Sequence, residues 1–204
     1  MRAVFGIAAV ALVIAYPLVV YFGLSHAGTR EAGLVLLAVV LPGLVLRARR
    51  TALATLGTVL IVPATVLACV ALGIVLDNAR FYLVLPTLIN LAMLAQFGRT
   101  LVSGMPMIER FARMSEPTLT ETQIRYCRIV TVVWCCFFAL NAATTLLLAL
   151  TASLAAWSFY TGIVSYVVMG ALFAGEYIVR KYRFRSYGNA FYDRMFAAIF
   201  PPPP

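Results

Sequence analysis

The residues of this chain that could do chemistry are the few polar and ionisable side chains set inside long apolar runs. Glu176 is the only carboxylate well inside such a run. An acid at membrane depth is a candidate proton carrier by default, because lipid makes an unpaired charge costly. Arg180 stands one helical turn further on, so an ion pair at the interface is the simpler reading. Asn90 and Gln96 share a run with Pro86, which lies one turn before Asn90. Polar side chains beside a proline break can line a pathway, or they can hydrogen-bond one helix to the next. Trp134, Phe138 and Asn141 recur at i, i+4 and i+7, with Phe137 alongside, and so share one helix face. That face suits a groove for a lipid or polyene chain with Asn141 reading a head group. It equally suits a helix contact with Asn141 bonding across it, worth about 0.6 kcal/mol. His26 is the only histidine, and one histidine does not make a multi-histidine metal site.

A second kind of chemistry, recognition by charge, is concentrated between residues 98 and 128. Pro106 opens a short helix there, since proline is favoured in a first turn. Within 107–114, Ile108, Phe111 and Met114 fall on or near one face, and Glu109 and Arg113 form an i,i+4 pair. This spacing predicts an interfacial helix lying on the inner leaflet. Arg99, Arg110 and Arg113 could grip phospholipid headgroups or the acidic face of a partner docked through 105–114. The competing reading is an anchoring helix whose arginines only mark the cytoplasmic side.

Other chemistries find no footing in the sequence. It has no glycine-rich phosphate loop, no Gly-x-Ser-x-Gly, no paired intramembrane acids and no His-Glu-x-x-His. Cys69, Cys127, Cys135 and Cys136 lie in or at the edge of apolar runs without zinc-site spacing. They read as buried free thiols. No catalytic, cofactor or metal residue is therefore expected. The net charge of +9 is explained by membrane flanks rather than by nucleic acid.

The elements that must carry these residues follow from composition. The chain has 204 residues, 63% apolar and 11% charged, against about 45–50% and about 25% in soluble domains. With a mean hydropathy of +0.97, its solvent is lipid. A bilayer core needs about 20 apolar residues per helix. Runs at about 3–24, 30–46, 51–76, 81–97, 129–155 and 157–179 supply six such spans, with 98–128 as the interfacial segment. The expected fold is an all-α, single-domain bundle of six transmembrane helices with an amphipathic helix between the fourth and fifth. Pro63 is expected to kink the third span. Small residues such as Gly6, Gly43, Gly73, Gly162 and Gly170 would permit close helix approach and a homo-oligomer. Arg2 and the run after it read as a retained first helix, longer than a signal-peptide core. Pro201–Pro204 reads as a disordered tail.

Of the 16 basic residues, only Arg30 and Arg80 fall in the first or third connection, beside Glu31 and Asp77. The other 14 lie at the N-terminus, in the second and fourth connections or in the C-terminal tail. Lys and Arg in short loops stay cytoplasmic, so both termini are expected in the cytoplasm.

The order of these features, and three stretches, carry a resemblance. They are the basic stop Leu46-Arg-Ala-Arg-Arg50, the acidic turn Asp77-Asn-Ala-Arg-Phe81, and Met105-Pro-Met-Ile-Glu-Arg-Phe111. The last is followed by Arg125-Tyr-Cys-Arg128 and then by Thr131-Val-Val-Trp134-Cys-Cys-Phe137-Phe138-Ala-Leu-Asn141. The chain resembles the intracellular septation protein A (YciB-like) family. It resembles still more a related family of small bacterial membrane proteins often encoded with aryl-polyene or xanthomonadin pigment genes. The resemblance covers most of residues 30–180. It implies a bacterial inner-membrane protein of the cell envelope, with no established catalytic residues. The expected function is a non-enzymatic accessory or scaffold that engages membrane lipids or a partner. A small lipid or metabolite transporter is the alternative, and a lipid-modifying enzyme is disfavoured.

Overall fold

The computed structural model describes residues 16–50 and 65–185, and the fold is all-α. Helix α1 occupies 16–26, and Gly28 at φ +98° turns the chain into α2, Thr29–Arg50. Helices α3 (Thr65–Val75), α4 (Arg80–Leu83) and α5 (Leu85–Val102) follow. The short α6 spans Met107–Ser115 and the long α7 spans Glu121–Thr151. Helix α8 (Leu154–Phe159) passes through a π turn, Tyr160–Val164, into α9, Ser165–Phe184.

Three stretches among the described residues are long and apolar enough to cross a membrane: Arg80–Val102, Glu121–Thr151 and Leu154–Phe184. They make this a multi-pass membrane protein by length and composition. The expected second span lies within α2, and the described parts of the first and third are helical up to residues 24 and 75. Residues 3–15 and 51–64, with the Pro63 kink, lie outside the described residues, as do Gly6 and the proline tail.

Several boundaries differ from expectation for local reasons. The turn expected at 155–157 comes earlier, because the Ser153 side chain accepts the Ala156 N–H and caps α8. Trp157, at the start of the sixth expected span, is inside the helix and fully buried. A capping box opens α7: the Gln123 side chain accepts the Thr120 N–H at 2.7 Å, and the Thr120 hydroxyl accepts the Gln123 N–H at 3.4 Å. It extends the fifth expected span back to Glu121.

The chain forms two compact units, and the boundaries between them fall inside helices. Of the described residues, the first comprises those up to 95 together with 138–165. Its core gathers Val20, Leu36, Val70, Tyr82, Leu85 and Trp157. Tyr82 lies against Gly33 and Gly73, where any Cβ would meet its ring or hydroxyl. Its hydroxyl donates to the Thr29 carbonyl at 3.0 Å. Pro86 has no N–H, so the carbonyl one turn back, that of Tyr82, loses its helical donor. The Tyr16 hydroxyl supplies the missing bond at 2.6 Å. Trp157 Nε1 donates to the next carbonyl, Leu83, at 3.0 Å. The break between α4 and α5 is thus closed by two aromatic side chains.

The second unit comprises 96–137 and the described residues from 166 onward. Its aromatic centre is Trp134, with ring centroids 4.5 Å from Phe173, 5.7 Å from Phe137 and 6.5 Å from Phe97.

Candidate functional site

In the second unit, α6 has an unusual attachment. A helix leaves its first N–H groups without partners, and an N-cap side chain normally accepts one. Pro106 occupies that position and makes no side-chain cap. The acceptors come from elsewhere: the Thr100 hydroxyl takes the Met107 N–H at 3.0 Å, and the Thr131 hydroxyl takes the Ile108 N–H at 3.3 Å. Each threonine donates its own proton back along its helix, to Phe97 and Cys127 carbonyls. Both are buried. Two side chains of α5 and α7 therefore hold the start of α6.

The faces of α6 are chemically distinct. Glu109 points inward and is only 5% exposed, paired to Arg113 at 2.7 Å. Arg113 also donates to the Pro117 carbonyl at 3.0 Å. The expected pair is present, but it stitches α6 to its own end rather than facing a ligand. Outward, Phe111 is 53% and Met114 82% exposed, with Arg110 beside them. Arg110 Nε donates to the Met105 carbonyl at 3.1 Å, which steadies the side chain and leaves its charge in place. Ile108, expected with Phe111 and Met114, is half-buried. Arg99 is exposed.

In the same unit the expected Glu176–Arg180 pair forms at 2.6 Å, with both side chains partly buried. The Tyr126 hydroxyl donates to the Glu176 carbonyl at 3.3 Å. Arg180 and Arg183 lie over the Tyr126 ring at 5.7 and 5.9 Å. The buried Cys127 thiol sits beside Arg180.

The first unit holds two of the expected polar residues of the transport reading, Asn90 and Asn141. Asn141 is buried, and its Nδ2 donates to Asn90 Oδ1 at 3.1 Å and to the Ser165 hydroxyl at 3.0 Å. Its Oδ1 accepts the Tyr160 hydroxyl at 2.9 Å. Asn90 Nδ2 donates to the Pro86 carbonyl at 2.8 Å. Close by in sequence, Thr87 and Thr145 hydroxyls pair at 3.0 Å. The π turn sets Tyr160 and Ser165 around Asn141, and such turns are frequent at functional positions. Here the Asn141 amide has both donors and one acceptor site occupied by neighbours, which is the arrangement of interhelical bonding. Gln96 does not join this cluster and is exposed.

Trp134, Phe138 and Asn141 are all buried. Around Trp134 the expected groove is occupied by Phe97, Phe137 and Phe173. The four cysteines are free thiols; Cys127 is buried, Cys69 and Cys135 are half-buried, and Cys136 is exposed. Among the described residues, no three of His, Cys, Asp and Glu gather where they could hold a metal ion.

Thr100, Thr131, Tyr160, Ser165 and the Tyr126 ring carry no sign of these roles in the sequence. Threonine and serine in an apolar helix usually bond their own preceding turn. Their role as caps for a separate helix leaves no local pattern. Pro106 was the available signal, because a helix starting after proline needs its cap from elsewhere.

Comparison of the chain with protein-family models, with curated proteins and with solved structures gives no match.

Proposed function

We propose that this protein is a non-enzymatic accessory of the bacterial inner membrane that presents α6 as a fixed docking platform. In this reading the chain has six spans, both termini are cytoplasmic, and α6 lies at the inner leaflet. The distribution of basic residues supports that orientation. The observation that carries the function is the asymmetry of α6. Its inward side is spent on Thr100, Thr131 and the Glu109–Arg113 pair. Its outward side offers Phe111 and Met114 beside Arg110. Apolar side chains next to a guanidinium suit the headgroup boundary and a partner seated there. The resemblance implies that such a partner belongs to envelope assembly or to making or exporting a lipid-linked aryl-polyene pigment. Transport through the first unit is less supported, because the Asn141 amide is engaged by Asn90, Ser165 and Tyr160.

The test is native mass spectrometry of the full chain, gently solubilised from its own membrane. The comparison variant carries Arg110→Glu and Phe111→Ser, which alter only the outward face. A discrete adduct or partner on the natural chain that the variant loses, with insertion unchanged, is the expected result. Equal recovery by both chains would remove the docking role. Arg113 is unsuitable for this experiment, since its loss would strand the buried Glu109.

A further inference from the structure

We infer that Arg183 is a binding site for the phosphate of an anionic lipid headgroup, held in readiness by the aromatic rings of Tyr126 and Phe184. The inference does not depend on the reading of α6. Two guanidinium groups lie over the Tyr126 ring, Arg180 at 5.7 Å and Arg183 at 5.9 Å. Their situations differ. Arg180 is neutralised by Glu176 at 2.6 Å and is half-buried. Arg183 is exposed, and no ion pair is formed by it among the described residues. It lies a further 6.0 Å from the Phe184 ring. The Tyr126 and Phe184 rings meet edge to face at 5.2 Å, so each braces the other. Tyr126 is itself buried and tied to the Glu176 carbonyl, so the platform does not swing freely.

A carboxylate partner fixes an arginine by using its donors and cancelling its charge. An aromatic platform fixes it through the π face and does neither. A guanidinium held this way keeps its N–H groups in the fork geometry that matches phosphate oxygens. Much of the side-chain ordering needed for binding is then already in place. The position is also right for an anionic headgroup. Arg183 stands in the last turn of α9, a candidate membrane-crossing stretch, where a side chain reaches the headgroup layer. Lipid is the abundant source of phosphate there.

The test uses the full chain in nanodiscs of phosphatidylcholine containing a minor fraction of phosphatidylglycerol. Bound phosphatidylglycerol is read by native mass spectrometry on release from the disc. Arg183→Gln should reduce its retention about tenfold, the loss of one charge-assisted bond. Tyr126→Leu, which keeps every positive charge, should reduce it in the same direction. Arg183→Lys should fall between, because it keeps charge without the planar fork. Arg125→Gln removes an exposed arginine that has no aromatic platform among the described contacts, and should leave retention near that of the natural chain. An equal loss in Arg125→Gln and Arg183→Gln would reduce the effect to bulk charge and overturn the assignment. So would unchanged retention in Arg183→Gln and Tyr126→Leu. Excess inorganic phosphate should fail to displace the lipid; displacement at millimolar concentration would mean that soluble phosphate, not lipid, is the ligand, and would overturn the lipid source.

Discussion

Replacing Thr100 and Thr131 with valine keeps side-chain shape and removes the two acceptors for the first amides of α6. Thr131 also donates to the Cys127 carbonyl, but that carbonyl belongs to α7 and keeps its helical amide donor. The change therefore falls on α6. Loss of an N-cap acceptor costs about 1 kcal/mol. The threonines bond different amides and reside on different helices, so the two losses should nearly add, to about 2 kcal/mol. At about 1.4 kcal/mol per factor of ten in population, α6 should open about 30-fold more often, and each single variant about fivefold. Hydrogen–deuterium exchange on peptides covering 105–115, in nanodiscs, measures this directly. A peptide from the middle of α7 serves as the internal control and should be unaffected. Exchange in 105–115 that stays within twofold of the natural chain would refute the reasoning that the threonines hold α6. Acceleration spread equally over α7 would refute the claim that the loss is local.

Gly73→Ala should destabilise the protein by about 1–3 kcal/mol, the range for overpacking a filled contact, because the new methyl meets the Tyr82 ring; midpoints of denaturant unfolding in mixed micelles measure it. Tyr16→Phe should cost about 1–2 kcal/mol by stranding the Tyr82 carbonyl. Most of that penalty should vanish when Pro86→Ala restores an N–H at position 86, so a double-mutant cycle with additive losses would exclude this account. Asn141→Leu removes three side-chain bonds worth about 0.6 kcal/mol each. It should weaken the fold by about 2 kcal/mol and couple to Asn90→Leu, whereas independent effects of the two changes would show that the amides do not work as a pair.

The membrane class was legible because it depends on composition and run length, which do not require knowing where the chain folds. Local pairs were legible for the same reason. Glu109–Arg113 and Glu176–Arg180 are separated by about one turn, and helical geometry alone brings them together. What remained hidden depends on long separations. Tyr16 meets the Tyr82 carbonyl across 66 residues, and Trp157 reaches Leu83 across 74. A tryptophan near the end of an apolar run carries the signature of a headgroup anchor. Only the carbonyls freed around Pro86 reveal why this one is drawn inward. Glu109 illustrates the same limit at short range. Its pairing with Arg113 was readable, but not its burial, because burial depends on how α6 lies on its neighbours.

That attachment bears on what α6 can do. With nine residues, it is shorter than the roughly 12–15 below which an isolated helix is marginal in water. An unattached segment of this length would have to become helical each time it met a membrane or a partner, and the ordering cost would come out of its affinity. Here the cost is met within the fold by Thr100, Thr131 and the buried Glu109. Phe111 and Met114 can then be presented at a fixed spacing without being needed to hold the helix. The two faces should consequently separate under mutation. Changes at Phe111 or Arg110 should alter recovery of what docks there and leave exchange protection in 105–115 intact. Changes at Thr100 or Thr131 should lower protection first and recovery only as a consequence. If outward substitutions unravel α6 as readily as the threonine changes do, the exposed face is part of what stabilises the helix, and the division between an anchoring side and a docking side fails.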